Sequence, residues 1–158
     1  MRARVFVISD LHLGGAPATA RAEAFQMCTD KGRAALAAFV GWAGTQRRDG
    51  EDLHLVIAGD IVDFLAEERA GGFQPFTVDP KQADEKLRLI LEDTKEVWDA
   101  LATFVAKGGR LTLLLGNHDL ELSLPGPRRR LLDRLGSGRV EFLYDNQAFS
   151  LGPLLVEH

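Results

Sequence analysis

A chain of 158 residues is at most one ordinary domain, and it is long enough to bury a real core. Hydrophobic residues at 46% and charged residues at 27% are globular values, which exclude a disordered chain. A net charge of −4 and a pI near 5.6 lack the basic footprint of a bulk nucleic-acid binder, and a single cysteine, Cys28, excludes an internal disulfide.

The chain enters a strand pattern at once, without the charged and apolar regions of a signal peptide. Residues 4–9 are mostly apolar and predict a first strand covered on both faces. Residues 21–47 turn Ala-rich and predict helix, split near Thr29-Asp30-Lys31-Gly32, where Thr29 or Asp30 can cap a second helix. Its apolar face is Leu36, Phe39, Val40, Trp42 and Ala43. Residues 53–58 are the second strand. Residues 66–80 hold Gly71-Gly72, Pro75 and Pro80 with Phe73 and Phe76 between them, the composition of a lid or packed surface loop. Residues 80–107 form the longest helical pattern, from Leu87 through Trp98 to Val105, stopped by Gly108-Gly109. Residues 111–115 are the third strand. Residues 127–135 read as a short basic helix. Residues 139–144, 147–151 and 154–156 read as short strands joined at Asp145-Asn146 and Gly152-Pro153. Strands alternating with helices imply an α/β fold with a parallel sheet. No apolar run approaches the roughly 18 residues of a membrane span. A reducing, cytoplasmic setting is the simplest expectation for one cysteine.

Three motifs fall at the ends of predicted strands: Asp10-Leu11-His12, Gly59-Asp60-Ile61-Val62-Asp63 and Gly116-Asn117-His118-Asp119. In open α/β sheets, ligands gather at the carboxyl ends of the strands. Asp10, His12, Asp60 and Asn117 offer two carboxylates, one imidazole and one amide oxygen. Hard cations take such oxygens, and imidazole extends the range to zinc, iron and manganese. The set has no thiolate, which argues against a structural zinc site. It suits two catalytic ions bridged by one carboxylate, best placed as Asp60, with a hydroxide between them attacking phosphorus. The chain closes on a further candidate ligand, His158.

These residues resemble the calcineurin-like metallophosphoesterases, over residues 9–158. The resemblance implies an α/β two-sheet sandwich flanked by helices, and a phosphodiesterase or phosphomonoesterase using two divalent ions, Mn, Fe or Zn. By resemblance, Asp10, His12 and Asp60 hold the first ion, and Asp60, Asn117 and His158 the second. His118 is the histidine that does not ligate but meets the scissile phosphate and protonates the leaving oxygen, and Asp63 orients it. The implied substrate is a small-molecule or lipid-linked phosphoester, with nucleic acid disfavoured by the charge. The family adds two histidines from a later Gly-His-x-His motif, which this sequence lacks. Residues 1–158 are therefore read as the N-terminal portion of an incomplete metallophosphoesterase domain, poorly active by itself.

Two other readings stand beside this one. A metallophosphoesterase-like scaffold that binds a protein partner predicts no stoichiometric metal, and a nuclease predicts salt-sensitive DNA binding. Elsewhere the residues read structurally: Trp42 and Trp98 as core, Glu121 as support, Arg128-Arg129-Arg130 as a solvated helix face, and His54 as facing water or a helix.

Overall fold

The computed structural model describes residues 2–16, 25–72, 76–145 and 147–158. The elements run β1 (Arg2–Ser9), α1 (Asp30–Thr45), β2 (Glu51–Ala58), α2 (Pro80–Asp93), α3 (Lys95–Ala106), β3 (Arg110–Leu114), α4 (Pro125–Leu135), β4 (Val140–Leu143), β5 (Phe149–Leu151) and β6 (Leu154–Val156). Strands β1 to β4 form one parallel sheet in sequence order, and β5 and β6 pair antiparallel in a second, small sheet. This is the α/β two-sheet architecture expected of the sequence.

Side-chain alternation along the strands divides the core. On β2, Leu53, Leu55 and Ile57 point into the larger cluster, where Val40, Leu87, Ile90, Trp98, Leu101 and Leu131 of all four helices meet them. Val56 and Ala58 point the other way, to Leu114, Phe149 and Val156 under the small sheet. All four helices thus lie on one face of the parallel sheet, and β5 and β6 lie on the other.

Several sequence expectations need correction. Strand β1 is covered on both faces only in part, with Val5 packed toward the small sheet. It is an edge strand, with Phe6 and Ile8 packed toward the helices while Val7 stays 44% exposed. The small sheet covers Val56 and Leu114 and does not bury Val7. Helix α1 begins only at Asp30, with Thr29 as its cap accepting from the Gly32 N–H, and residues 25–29 are not helical. Residues 21–24 of that predicted helix, and residues 73–75 of the predicted lid, lie outside the described residues. Trp42 is half exposed and packs on Phe6 and Phe39 instead of entering the core.

The long helix breaks in two at Thr94. The Thr94 hydroxyl donates to the Ile90 carbonyl at 2.6 Å and accepts from the Trp98 indole at 2.7 Å, a side-chain competition with the helical ladder that periodicity does not reveal. His54 faces neither water nor a helix. It is buried beneath the small sheet, bonded to the Thr112 hydroxyl at 2.8 Å and edge-on to Phe149. Burial pushes its imidazole below the ordinary histidine value, with Arg110 adding to the effect.

Candidate functional site

Strands β1, β2 and β3 end level with one another, because Ser9 pairs with Ala58 and Ala58 with Leu114. The three motifs therefore leave the sheet side by side. The first two zip together beyond the strands. Asp10 N–H donates to the Gly59 carbonyl at 3.3 Å, His12 N–H to Asp60 at 2.9 Å, and Leu13 N–H to Ile61 at 3.0 Å. Asp63 N–H returns a bond to the Leu13 carbonyl at 2.9 Å, and the Leu13–Val62 bridge keeps the register of the strands.

Local strain marks the same place. Asp10, His12 and Asp60 have φ of 55°, 44° and 46°, and they are the positive-φ non-glycine residues among those described. Each such residue costs on the order of 1–2 kcal/mol. That three candidate ligands carry this cost, and neighbours do not, is the pattern expected where side-chain aim outweighs backbone comfort.

Asp60 is the hub. Its buried carboxylate turns Oδ2 toward His12 Nε2 at 3.6 Å and Oδ1 toward His158 Nε2 at 3.4 Å. The same Oδ1 accepts the His118 backbone N–H at 2.9 Å, which brings the third loop in. Asp10, His12 and Asp60 form one trio whose donor atoms lie within 4.8 Å of one another. On the other side, Asn117 Oδ1 lies 3.4 Å from His158 Nε2. All the sequence-predicted metal residues thus converge on Asp60.

The chemistry of these atoms fits a cation. His158 Nδ1 faces the Ala58 carbonyl at 3.0 Å. A carbonyl only accepts, so Nδ1 carries the proton and the neutral ring leaves Nε2 as a bare lone pair. That lone pair lies 3.4 Å from Asp60 Oδ1 and 3.4 Å from the Asn117 amide, which presents its oxygen to the same space. Such a set of nitrogen and oxygen lone pairs is suited to a metal ion. On the first side, the buried Nδ1 of His12 has no hydrogen-bond partner among the described residues, while its Nε2 faces the Asp60 carboxylate. Oxygen and imidazole donors of this kind suit a divalent ion.

Two glycines make the convergence possible. A Cβ on Gly59, at φ 72°, would lie 2.2 Å from the His158 ring, and one on Gly116 would lie 2.2 Å from Asp60 N and Oδ1. His118 and Asp63 form a second trio with His12, with donor atoms within 4.8 Å of one another. His118 Nδ1 is 3.8 Å from Asp63 Oδ1, longer than a hydrogen bond, and the His118 ring is edge-on to His12 with centroids 4.8 Å apart. His118 is half-buried, whereas Asp63 is buried and accepts the Ala66 N–H at 3.3 Å.

Sequence reasoning missed Asp119. Its side chain is fully buried, with Oδ2 accepting Ile61 N–H at 2.6 Å and Oδ1 accepting Gly116 N–H at 2.7 Å. It clamps the second loop to the third. Burial pushes its carboxyl up to about 6, against the pull of those N–H donors and with a further push from Asp60. The residue stands inside the third motif, but only the fold reveals which two backbones it joins. Glu121 is structural, as expected: buried, and accepting the Thr77 N–H at 3.1 Å. Arg130 is not a freely solvated charge but pairs with Asp84, and Arg128 lies 4.0 Å over the Tyr144 ring.

A family model described as calcineurin-like phosphoesterase matches residues 3–156 of the chain. No curated protein and no solved structure matches it.

Proposed function

The chain belongs to the calcineurin-like phosphoesterase family, and on that premise we propose that it is a phosphodiesterase or phosphomonoesterase working with two divalent ions that share Asp60. The observation that carries this reading is the Asp60 carboxylate, with one oxygen toward His12 and the other toward His158. Asp10, His12 and Asp60 would hold one ion, and Asp60, Asn117 and His158 the other. These residues would supply three protein donors to each ion, one histidine short of the family's set at each, so activity of these residues by themselves should be low. Bound ions of this kind acidify the attacking water and neutralise charge on the phosphate oxygens.

The remaining work falls to the chain itself. His118, half-exposed beside His12, faces the space over the ligands and would donate its proton to the leaving oxygen. Asp63 holds the orientation of that ring by charge from 3.8 Å. Manganese, iron and zinc all suit the donor set. A cytoplasmic setting rests on the single cysteine, and no helix among the described residues is long and apolar enough to cross a membrane.

The test is hydrolysis of bis(p-nitrophenyl) phosphate by the manganese-loaded protein. His118→Ala should keep the metal and lose roughly 10²–10⁴ in rate, the usual yield of general acid catalysis. Asp60→Ala should lose metal and activity together. A protein that binds no stoichiometric metal would be the partner-binding scaffold instead. Activity that survives both substitutions would refute the mechanism.

A further inference from the structure

Beside the first trio of ligands the surface opens into a cleft of about 310 Å³. Asp10 and His12 are part of its lining, so a group seated there would touch the proposed first ion's ligands. Its other walls differ in character. They are Leu11, Leu36, Met27 and Cys28, with Thr29 as the polar member, from the first loop, from helix α1 and from the segment before the helix. Met27 is 55% exposed and Phe25, two residues earlier, 59%, so apolar surface continues onto the rim.

Among the described residues the lining also carries no cation. None of its lining residues is lysine or arginine. Two cations flank Gly32 in sequence. Lys31 is exposed and lies outside the lining, and Arg33 is committed elsewhere. The Arg33 guanidinium holds Glu96 at 2.8 Å, Asp30 at 2.5 Å and the Cys28 carbonyl at 3.1 Å. Those bonds also fix the wall, since they tie Cys28 to the start of the helix. A second phosphate would find no positive partner among the described lining residues, and the Thr29 hydroxyl, the polar group of the walls, already accepts the Gly32 N–H at 3.3 Å. Gly32, exposed on the first helical turn, is part of the lining, and a Cβ added there would meet Cys28 Sγ at 3.5 Å and Thr29 Oγ1 at 3.6 Å.

We propose that this cleft receives an uncharged, apolar ester group of the substrate, an alkyl chain or an aryl ring, and so selects phosphodiesters that carry one. The proposal rests on the phosphoesterase reading above. A volume of about 310 Å³ stands at the lower end of small-molecule clefts, which run from about 300 to 1,000 Å³, and suits a single ring or a short chain.

The experiment holds the leaving group fixed and varies the other arm. The manganese-loaded protein is given methyl, hexyl, phenyl and thymidine 5′-esters of p-nitrophenyl phosphate. The hexyl or phenyl diester should exceed the methyl diester by at least about tenfold in kcat/KM, through a lower KM, which two buried methylenes would yield. A hexyl preference alone points to a chain-bearing, lipid-like substrate, and a phenyl preference alone to an aryl one. Gly32→Leu, which adds a bulky side chain to the lining on an exposed helical position, should bring the hexyl-to-methyl ratio toward one, as should Leu36→Asn. Equal rates for all arms, a preference for the thymidine ester, or a hexyl preference that survives both substitutions overturns the proposal. Binding of hexylphosphonate against methylphosphonate, followed by calorimetry on the same manganese-loaded protein, measures the preference without turnover. Tenfold tighter hexylphosphonate binding with no hydrolysis would sink the phosphoesterase mechanism and keep the cleft. Absence of manganese binding sinks both.

Discussion

On the Oδ2 side of Asp60 stand Asp10 and His12, two residues of one short loop. On the Oδ1 side stand Asn117 and His158, which lie 41 residues apart in the chain. The first side is built locally. Its loop continues the parallel register of β1 and β2 through four backbone hydrogen bonds, and its cost appears as strained φ at Asp10 and His12. The second side is built by long-range docking. His158 reaches it from beyond β6 and rests on Gly59, while Asn117 is held in place by the bonds of Asp60 and Asp119 to its loop. Local strain and long-range contact are two ways to aim a ligand, and they should fail differently.

The largest expected effect breaks the docked side alone. Gly59→Ala places a Cβ against the His158 ring and a side chain at φ 72°. Stability should fall by about 2–4 kcal/mol in a urea melt, combining left-handed strain with overpacking. Bound manganese should fall toward one per chain, with the Asp10–His12 side still filled. Next comes Asp119→Asn. The amide can satisfy only one of the two buried N–H groups and turns a donor on the other, so stability should fall by about 1–3 kcal/mol. The weaker manganese step should suffer more than the stronger, because the clamp joins the second and third loops. A uniform loss at both steps would contradict the division into a local and a docked side. The smallest effect has the opposite sign. Asp10 is exposed and sits at φ 55°. Asp10→Gly relieves that strain and removes a negative charge from an acidic cluster. The metal-free protein should gain about 0.5–1 kcal/mol, while manganese binding on the local side is lost. Loss of stability would show that Asp10 holds the fold rather than an ion.

Much of this was legible in the chain itself. The strand patterns and the motifs after them placed Asp10, Asp60 and Asn117 at one sheet edge, because parallel strands joined by helices bring their carboxyl ends together. The illegible parts were those decided by contacts between distant segments. Trp42 reads as an apolar helix residue, and only the edge position of β1 explains why it stays half exposed. His54 alternates with leucines as a solvent-facing residue does, yet the small sheet, whose docking no local pattern announces, covers it. The break at Thr94 depends on a hydroxyl that Trp98 engages from the next turn. Asp119 is visible as a letter, but its role needs two backbones that the sequence keeps 58 and 3 residues away. The apolar cleft likewise joins Leu11 to Leu36 across a loop and a helix.

The central claim is that one carboxylate, Asp60, joins two ions. Manganese titration followed by electron paramagnetic resonance tests it most directly. The account predicts two ions per chain, a spectrum of exchange-coupled manganese in the wild type, and the loss of both ions and of that signal in Asp60→Ala. Two uncoupled ions, or a pair that persists without Asp60, would contradict it.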